Sequence, residues 1–314
     1  ILFSIYATLG VSLNLIVGYT GLLSVTHAAF YGFGAYATAI LLTTTGIGFF
    51  LSVIIGILVA MVASFLIGIV LSKFDNDYYA LASLGFNTII FALFLNWQSL
   101  TRGPLGIPGI SRPELFGFDF SSNLSFLILS LIILVLIFYI SKFIVNSSFG
   151  RVLKAIRGDE KAIQVFGYNT AYYKLTIFVI SAGMAAVAGS LFASYITFVD
   201  PSSFTVFESI FILAIIILGG LSNMRGVILG ALFLILLPEA LRFVGFPPDI
   251  AAQMRQVIYG LILVLLMLYQ NCDTGFKVND TFSQRVNNGT SRNIPPVSGH
   301  RILKLTASET SGIN

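Results

Sequence analysis

Few side chains in this sequence could do chemistry, and their spacing does not let them do it together. The histidines are His27 and His300, the single cysteine is Cys272, and acids such as Glu208 and Glu239 stand alone within apolar runs. A metal needs His, Cys, Asp or Glu grouped at ligand spacing, and acid–base or nucleophilic catalysis needs a nucleophile near its base. No such grouping is present. The Gly-rich run TRGPLGIPGISRPELFGF at 101–118 lacks the GK[ST] and the strand-to-helix setting of a phosphate cradle. No catalytic residue, metal or cofactor is therefore expected. The one dense group of charges is in GRVLKAIRGDEKAIQVFGY at 150–168, where Arg151, Lys154, Arg157, Asp159, Glu160 and Lys161 crowd together. Its chemistry is that of a water-facing contact surface.

The elements that must hold this segment are membrane spans. The chain has 314 residues, 57% of them hydrophobic and only 10% charged, with a mean hydropathy of +0.94. That is too little polar surface for a soluble fold of this size. The net charge of +4 could point to nucleic acid, but the basic residues sit in short loops rather than on one folded face. No nucleic acid is expected as a partner; the lipid bilayer is. Crossing about 30 Å of hydrocarbon takes roughly 20 apolar residues. Such runs lie near 1–17, 21–44, 49–72, 79–98, 123–145, 174–198, 204–220, 226–243 and 254–269. The expected fold is an all-α polytopic bundle of about nine spans, some short or Gly-interrupted enough to be re-entrant. It opens at Ile1, inside an apolar run and without a Met, so upstream sequence is expected to be missing. Residues 1–269 form the expected membrane domain. From Gln270 the helical period is lost and turn formers dominate, so 270–314 is expected to be disordered.

If 146–173 lies inside the cell, alternation puts Lys73, Lys142, Arg151, Lys154, Arg157, Lys161, Lys174 and Arg225 inside, against Arg102, Arg112, Arg242 and Arg255 outside. The bias agrees with the positive-inside rule. As a helix, 150–168 places Val152, Ala155, Ile156, Ile163 and Phe166 within about 100° of one another, opposite Lys154, Arg157 and Lys161. Gly158 is placed to split that helix and Gly167 to stop it. Two readings stay open on pattern alone: a basic loop that fixes topology against anionic lipid, which is the commoner kind, or a segment that docks a protein.

GYTGLLSVTHAAFYGFGAYATA at 18–39 is rich in small residues, which let helix backbones approach, so it should be buried among other helices. His27 within it is a site candidate because ionisable groups in membranes are costly; the plainer reading is a hydrogen bond to a neighbouring helix. Tyr31 and Asn87 carry the same two readings, packing or translocation path. Pro104, Pro108 and Pro113 exclude a regular helix or central strand through 99–122, so that loop should be a shaped cap on the outer mouth.

Several ordered motifs resemble one family, the LivM-type permease subunit of ATP-driven branched-chain amino acid importers. They are GYTGLLSVTHAAFYGFGAYATA, GPLGIPGI, GRVLKAIRGDEKAIQVFGYNTAYYKLTIFVISAGMAAVAGSL and DPSSFTVFESIFILAIIILGGLSNMRGVILGALFLILLPEALR. Leu22 and Thr26 stand where that family usually has Gln and Gly, and Gln270 onward does not match its usual basic end. The resemblance implies a cytoplasmic coupling loop within 146–173, with Arg151, Val152, Lys154, Ile156, Arg157, Glu160, Ile163, Phe166 and Gly167 against a soluble ATPase. It also implies partners: ABC ATPase subunits, a second permease in a heterodimer, and an extracytoplasmic substrate-binding protein, at a prokaryotic cell membrane. Related permeases carry urea or short amides, and the motifs do not separate these from leucine, isoleucine and valine. A free-standing secondary carrier would need membrane-buried charges for ion coupling, which the mid-span sequence almost lacks; a membrane-embedded enzyme would need an acid or metal cluster.

Overall fold

Among the apolar runs, the helices Asn123–Asn146 and Thr170–Ile196 are started by a capping side chain, while Leu2–Thr20, His27–Ile40, Phe49–Leu71 and Val206–Gly219 begin without one. The computed structural model describes residues 1–74, 76–115, 118–120 and 122–243. Its helices are α1 (Leu2–Thr20), α2 (His27–Ile40), α3 (Phe49–Leu71), α4 (Asn76–Asn96), α5 (Gln98–Thr101), α6 (Asn123–Asn146), α7 (Ser148–Gly158), α8 (Glu160–Val165), α9 (Thr170–Ile196), α10 (Val206–Gly219) and α11 (Met224–Phe243). Ser122, Ser147, Asp159 and Asn169 open α6, α7, α8 and α9, their side-chain oxygens accepting first-turn amides at 3.2, 3.3, 3.0 and 3.2 Å. These bonds satisfy donors that have no partner within the helix.

Helix α1 is the centre of the bundle. Its most apolar stretch is 83% buried, against 28% for α3, 22% for α4 and 33% for α6, although α3 and α6 are the more hydrophobic. The most apolar helices thus face outward, as a lipid solvent demands. Around α1 pack α9, α6, α10 and α11. Helices α2 and α9 touch through their backbones: a Cβ on Gly34 would lie 2.1 Å from the Ala186 carbonyl oxygen, and one on Gly189 would lie 2.0 Å from that of Tyr31. This is the close approach that small residues permit, and it accounts for burial of the 18–39 segment.

The expectation of about nine spanning helices needs correction. Five helices among the described residues are long and apolar enough to cross a membrane: α1, α3, the part of α4 from Tyr78 to Asn96, α6 and α9. The run 21–44 is not one helix. It divides into a non-helical stretch 21–26, the 14-residue α2 and a π-helical turn Leu41–Thr45. The run 204–220 begins in a 3-10 turn, Pro201–Phe204, and continues as the 14-residue α10, while the apolar part of α11 is Met224–Leu237. Hydropathy counts apolar residues and is blind to where the backbone leaves the helix. The span expected at 254–269, the side chains of Glu239 and Arg242, Arg255, and the tail 270–314 lie outside the described residues.

The strands are two-residue rungs: β1 (Ile107–Pro108), β2 (Glu114–Leu115), β3 (Phe118–Asp119) and β4 (Phe198–Val199). β1 pairs antiparallel with β4, and β2 with β3. The β1–β4 pair ties the Pro-rich loop to the end of α9, as only short edge pairing is open to a segment so rich in proline. At the opposite end of the bundle, the last turn of α1, α7, α8 and the turn 220–223 meet, near Lys154, Arg157 and Arg225.

Candidate functional site

The charged segment 150–168 folds as a helical hinge. α7 ends at Gly158, Asp159 is extended (φ −154°), and α8 begins at Glu160. α8 closes on Gly167 at φ 86°. The amides of Gly167 and Tyr168 donate to the carbonyls of Gln164 and Ile163 at 2.9 and 3.3 Å, a left-handed cap that glycine reaches without steric cost. Glu160 forms an ion pair with Lys174 of α9, and Gln164 Nε2 donates to Thr170 Oγ1 at 2.9 Å. Those bonds fix α8 against the start of α9.

The apolar stripe read from the helical period divides between two surfaces. Leu153 and Ile156 are buried against the bundle, Ile156 at 3% exposure, while Val152 and Ile163 are half-buried. Phe166 is 77% exposed. The break at Asp159 rotates α8 relative to α7, so one projection cannot describe both. Val165, at 87% exposure, and Tyr172, at 61%, join Phe166 outside. Sequence reasoning passed over these two because they fall off a continuous helical stripe. Of the charged residues, Arg151 is exposed and its Nη2 donates to Ser148 Oγ at 2.7 Å. Lys154 places Nζ 5.6 Å from the centroid of the Tyr19 ring, a cation–π distance. Arg157 donates to the Gly18 carbonyl and contacts Ser222 Oγ. Between the hinge and the end of α1 lies a cavity of about 530 Å³, lined by Thr20, Gly21, Arg157, Asp159, Lys161 and Gln164 among others.

The second site is the break before α2. His27, the first residue of α2, places Nε2 2.7 Å from Ser12 Oγ in the middle of α1. α2 therefore starts about halfway along α1, inside the bundle. Amides on both sides of this break find side chains of two other helices: Val25 N–H donates to Ser83 Oγ at 3.0 Å, Ala28 N–H to Ser209 Oγ at 2.9 Å and Ala29 N–H to Asn87 Oδ1 at 3.1 Å. Irregular backbone survives at membrane depth only with such partners. Asn87 Nδ2 and His27 Nδ1 are buried without a hydrogen bond among the described residues. Tyr31, 1% exposed, packs its ring 5.3 Å from Phe192 and 5.2 Å from Phe204 by centroid. The structure thus brings His27 and Asn87 to one helix terminus and sets Tyr31 one turn beyond, in an aromatic cluster. Among the described residues no group of His, Cys, Asp and Glu could hold a metal ion.

The family described as branched-chain amino acid transport system / permease component matches residues 1–267, across both sites. The chain belongs to this family. Within it, the high-affinity branched-chain amino acid transport system permease protein LivM of Escherichia coli (strain K12) is 36% identical over 289 residues, covering 85% of this chain and 66% of the relative. A probable branched-chain amino acid transport permease protein LivM of Methanocaldococcus jannaschii is 24% identical over 233 residues, covering 69% and 66%. The autoinducer 2 import system permease protein LsrC of Salmonella paratyphi B is 26% identical over 226 residues, covering 67% and 62%. The chain thus spans about two thirds of the length of the relatives it matches. No solved structure matches it. This member of the branched-chain permease family is a multi-pass protein of a prokaryotic cell membrane.

Proposed function

We propose that the chain is a membrane-spanning permease subunit of an ATP-driven importer of branched-chain amino acids. It has no catalytic chemistry of its own; ATP is bound and hydrolysed by separate ATPase subunits, and a second permease completes the translocation path. An extracytoplasmic binding protein delivers the solute. The observation that carries this reading is the exposed apolar pair Val165 and Phe166 on a hinge whose charges keep it in water, with Tyr172 exposed at the start of α9. An exposed pair of that kind in a member of this family calls for a protein partner rather than lipid. Arg151, Val152, Lys154, Glu160, Ile163 and Gly167 shape and orient that surface, Ile156 anchors it from beneath, and Arg157 turns away from it to the end of α1.

In this reading the hinge is cytoplasmic and the Pro-rich loop is outside. The segments 21–40 and 201–219 and helix α11 are further crossings, the first two part helix and part irregular chain. The path runs past His27, Tyr31 and Asn87, where the backbone break leaves polar atoms inside the bundle. Residues 1–269 form the permease domain, and 270–314 are dispensable. ATP-driven closure of the ATPases moves the hinge, and the helices it joins tilt between two packings. The test is uptake into proteoliposomes carrying this chain with its second permease, ATPases and binding protein. ATP-dependent accumulation of radiolabelled leucine, isoleucine or valine is expected. Uptake of urea or acetamide instead would reassign the substrate, and uptake by the chain alone on an ion gradient would replace the importer with a secondary carrier.

A further inference from the structure

Where the hinge meets the bundle, three elements converge on one carbonyl. Gly18 lies in the last turn of α1, whose final carbonyls have no amide four residues on to receive. The amide that would serve Gly18, that of Leu22, is 3.4 Å from Thr20 Oγ1 instead. The Gly18 oxygen accepts from Arg157 at the end of α7 and from the hydroxyl of Ser222 in the turn between α10 and α11. A guanidinium is well placed there, since a helix C-terminus carries partial negative charge.

Ser222 is held unusually firmly for a turn residue. Its backbone is left-handed, at φ 66°, a conformation that costs a non-glycine residue energy unless neighbours impose it. Its amide donates to Asn14 Oδ1 at 3.1 Å, and its carbonyl accepts from the Tyr19 hydroxyl at 2.7 Å. Both partners belong to α1. One turn before Arg157, Lys154 lies over the ring of that same Tyr19. The turn 220–223, the last turn of α1 and the end of α7 are therefore joined by directional bonds to named atoms, where apolar packing alone would let them slide.

We infer that Arg157 is a positioning residue that, through Gly18 and Ser222, makes α1 and the α10–α11 turn follow the movement of α7. The inference rests on the ATP-coupled reading of the hinge and adds the joint through which the movement passes. Arginine suits the place because its Nη1 alone serves both acceptors, Gly18 O and Ser222 Oγ, and its planar guanidinium holds that nitrogen in a fixed direction that the flexible lysine ammonium does not. Since α1 also carries Ser12, the partner of His27, the joint connects the hinge to the break before α2 by a continuous rigid helix.

The test compares Arg157→Ala, Arg157→Lys, Ser222→Ala and the Arg157→Ala/Ser222→Ala pair in the assembled transporter. Three quantities are read: co-purification of the ATPases, ATP hydrolysis, and solute taken up per ATP. With Arg157→Ala, the ATPases remain bound and hydrolysis persists, while uptake per ATP falls about tenfold, in the range usual for coupling between sites. Arg157→Lys recovers part of the loss, and the double variant is no worse than Arg157→Ala, because both side chains act on one carbonyl. A second measurement needs no ATPase. Spin labels at Lys161→Cys and Arg225→Cys, in a Cys272→Ser background, give a narrow distance distribution in the isolated chain that broadens with Arg157→Ala. Uptake per ATP within about twofold of the unmodified protein, or an unchanged distribution, overturns the inference. So does loss of ATPase binding with uptake per ATP intact, which would place Arg157 in the docking surface. ATPase recovery with the unmodified chain, read in the same experiment, tests the docking reading separately.

Discussion

Ser12 Oγ and His27 Nε2 lie 2.7 Å apart at full burial, and the same Ser12 hydroxyl donates to the Leu9 carbonyl at 2.8 Å. A hydroxyl has one proton to give and lone pairs to accept with, so Ser12 can serve both partners at once. His27 pins the start of α2 to the middle of α1. A double-mutant cycle of Ser12→Ala and His27→Ala, read by thermal unfolding in detergent, should return a coupling of about 0.5–1.5 kcal/mol. A coupling of zero would remove His27 from this structural role.

The Ala29 amide is shared between Asn87 Oδ1 at 3.1 Å and the Thr26 carbonyl at 3.0 Å, in a place water does not reach. Asn87→Ala leaves that amide the Thr26 carbonyl alone and should cost about 0.5–1.5 kcal/mol. Asn87→Asp keeps the acceptor oxygen and should keep α2 in place better than alanine does. Melting temperatures of the two variants check this, and an alanine variant as stable as the parent would contradict it.

Two glycines separate packing from propensity. Gly34→Ala forces a Cβ to within 2.1 Å of the Ala186 carbonyl and should reduce the folded yield sharply, whereas Gly85, with nothing within 4 Å of its would-be Cβ, should accept alanine with no loss and up to about 1 kcal/mol of gain. Fluorescence-detected size exclusion of the two variants reads the difference. Equal yields would mean that α2 and α9 are not in backbone contact.

The hinge was largely legible in the sequence: its charges, the split at Gly158 and the stop at Gly167 all follow from local chain chemistry. So did the burial of 18–39, through its small residues. The side on which Ile156 lies was not legible, because the turn at Asp159 resets the helical phase and a projection cannot see it. The break before α2 was also missed. Residues 21–44 read as one apolar run, and what stabilises the break is distant in sequence: Ser83, Asn87 and Ser209. Gly21, left-handed at φ 77°, was the available local signal of a helix end.

Sidedness follows from the charge distribution. With Cys272→Ser as background, cysteine at Lys154 should react with an impermeant maleimide only after the membrane is opened, and cysteine at Pro108 should react from outside intact cells. The reverse pattern would invert the topology.

Docking of a separate ATPase on the hinge surface can be tested with substitutions that alter that surface alone. Val165 and Phe166 are 87% and 77% exposed, so Val165→Asp/Phe166→Ser leaves the bundle intact, unlike Ile156→Asp, which would bury a charge. Each apolar side chain buried in a partner's groove contributes about 1.5–3 kcal/mol, and 1.4 kcal/mol is tenfold in affinity. The most direct measurement is co-purification of the ATPase subunits with the double variant and with the unmodified chain, at equal membrane levels. With the variant, recovery of ATPase should fall by about a hundredfold; equal recovery from both proteins would rule out docking at this surface.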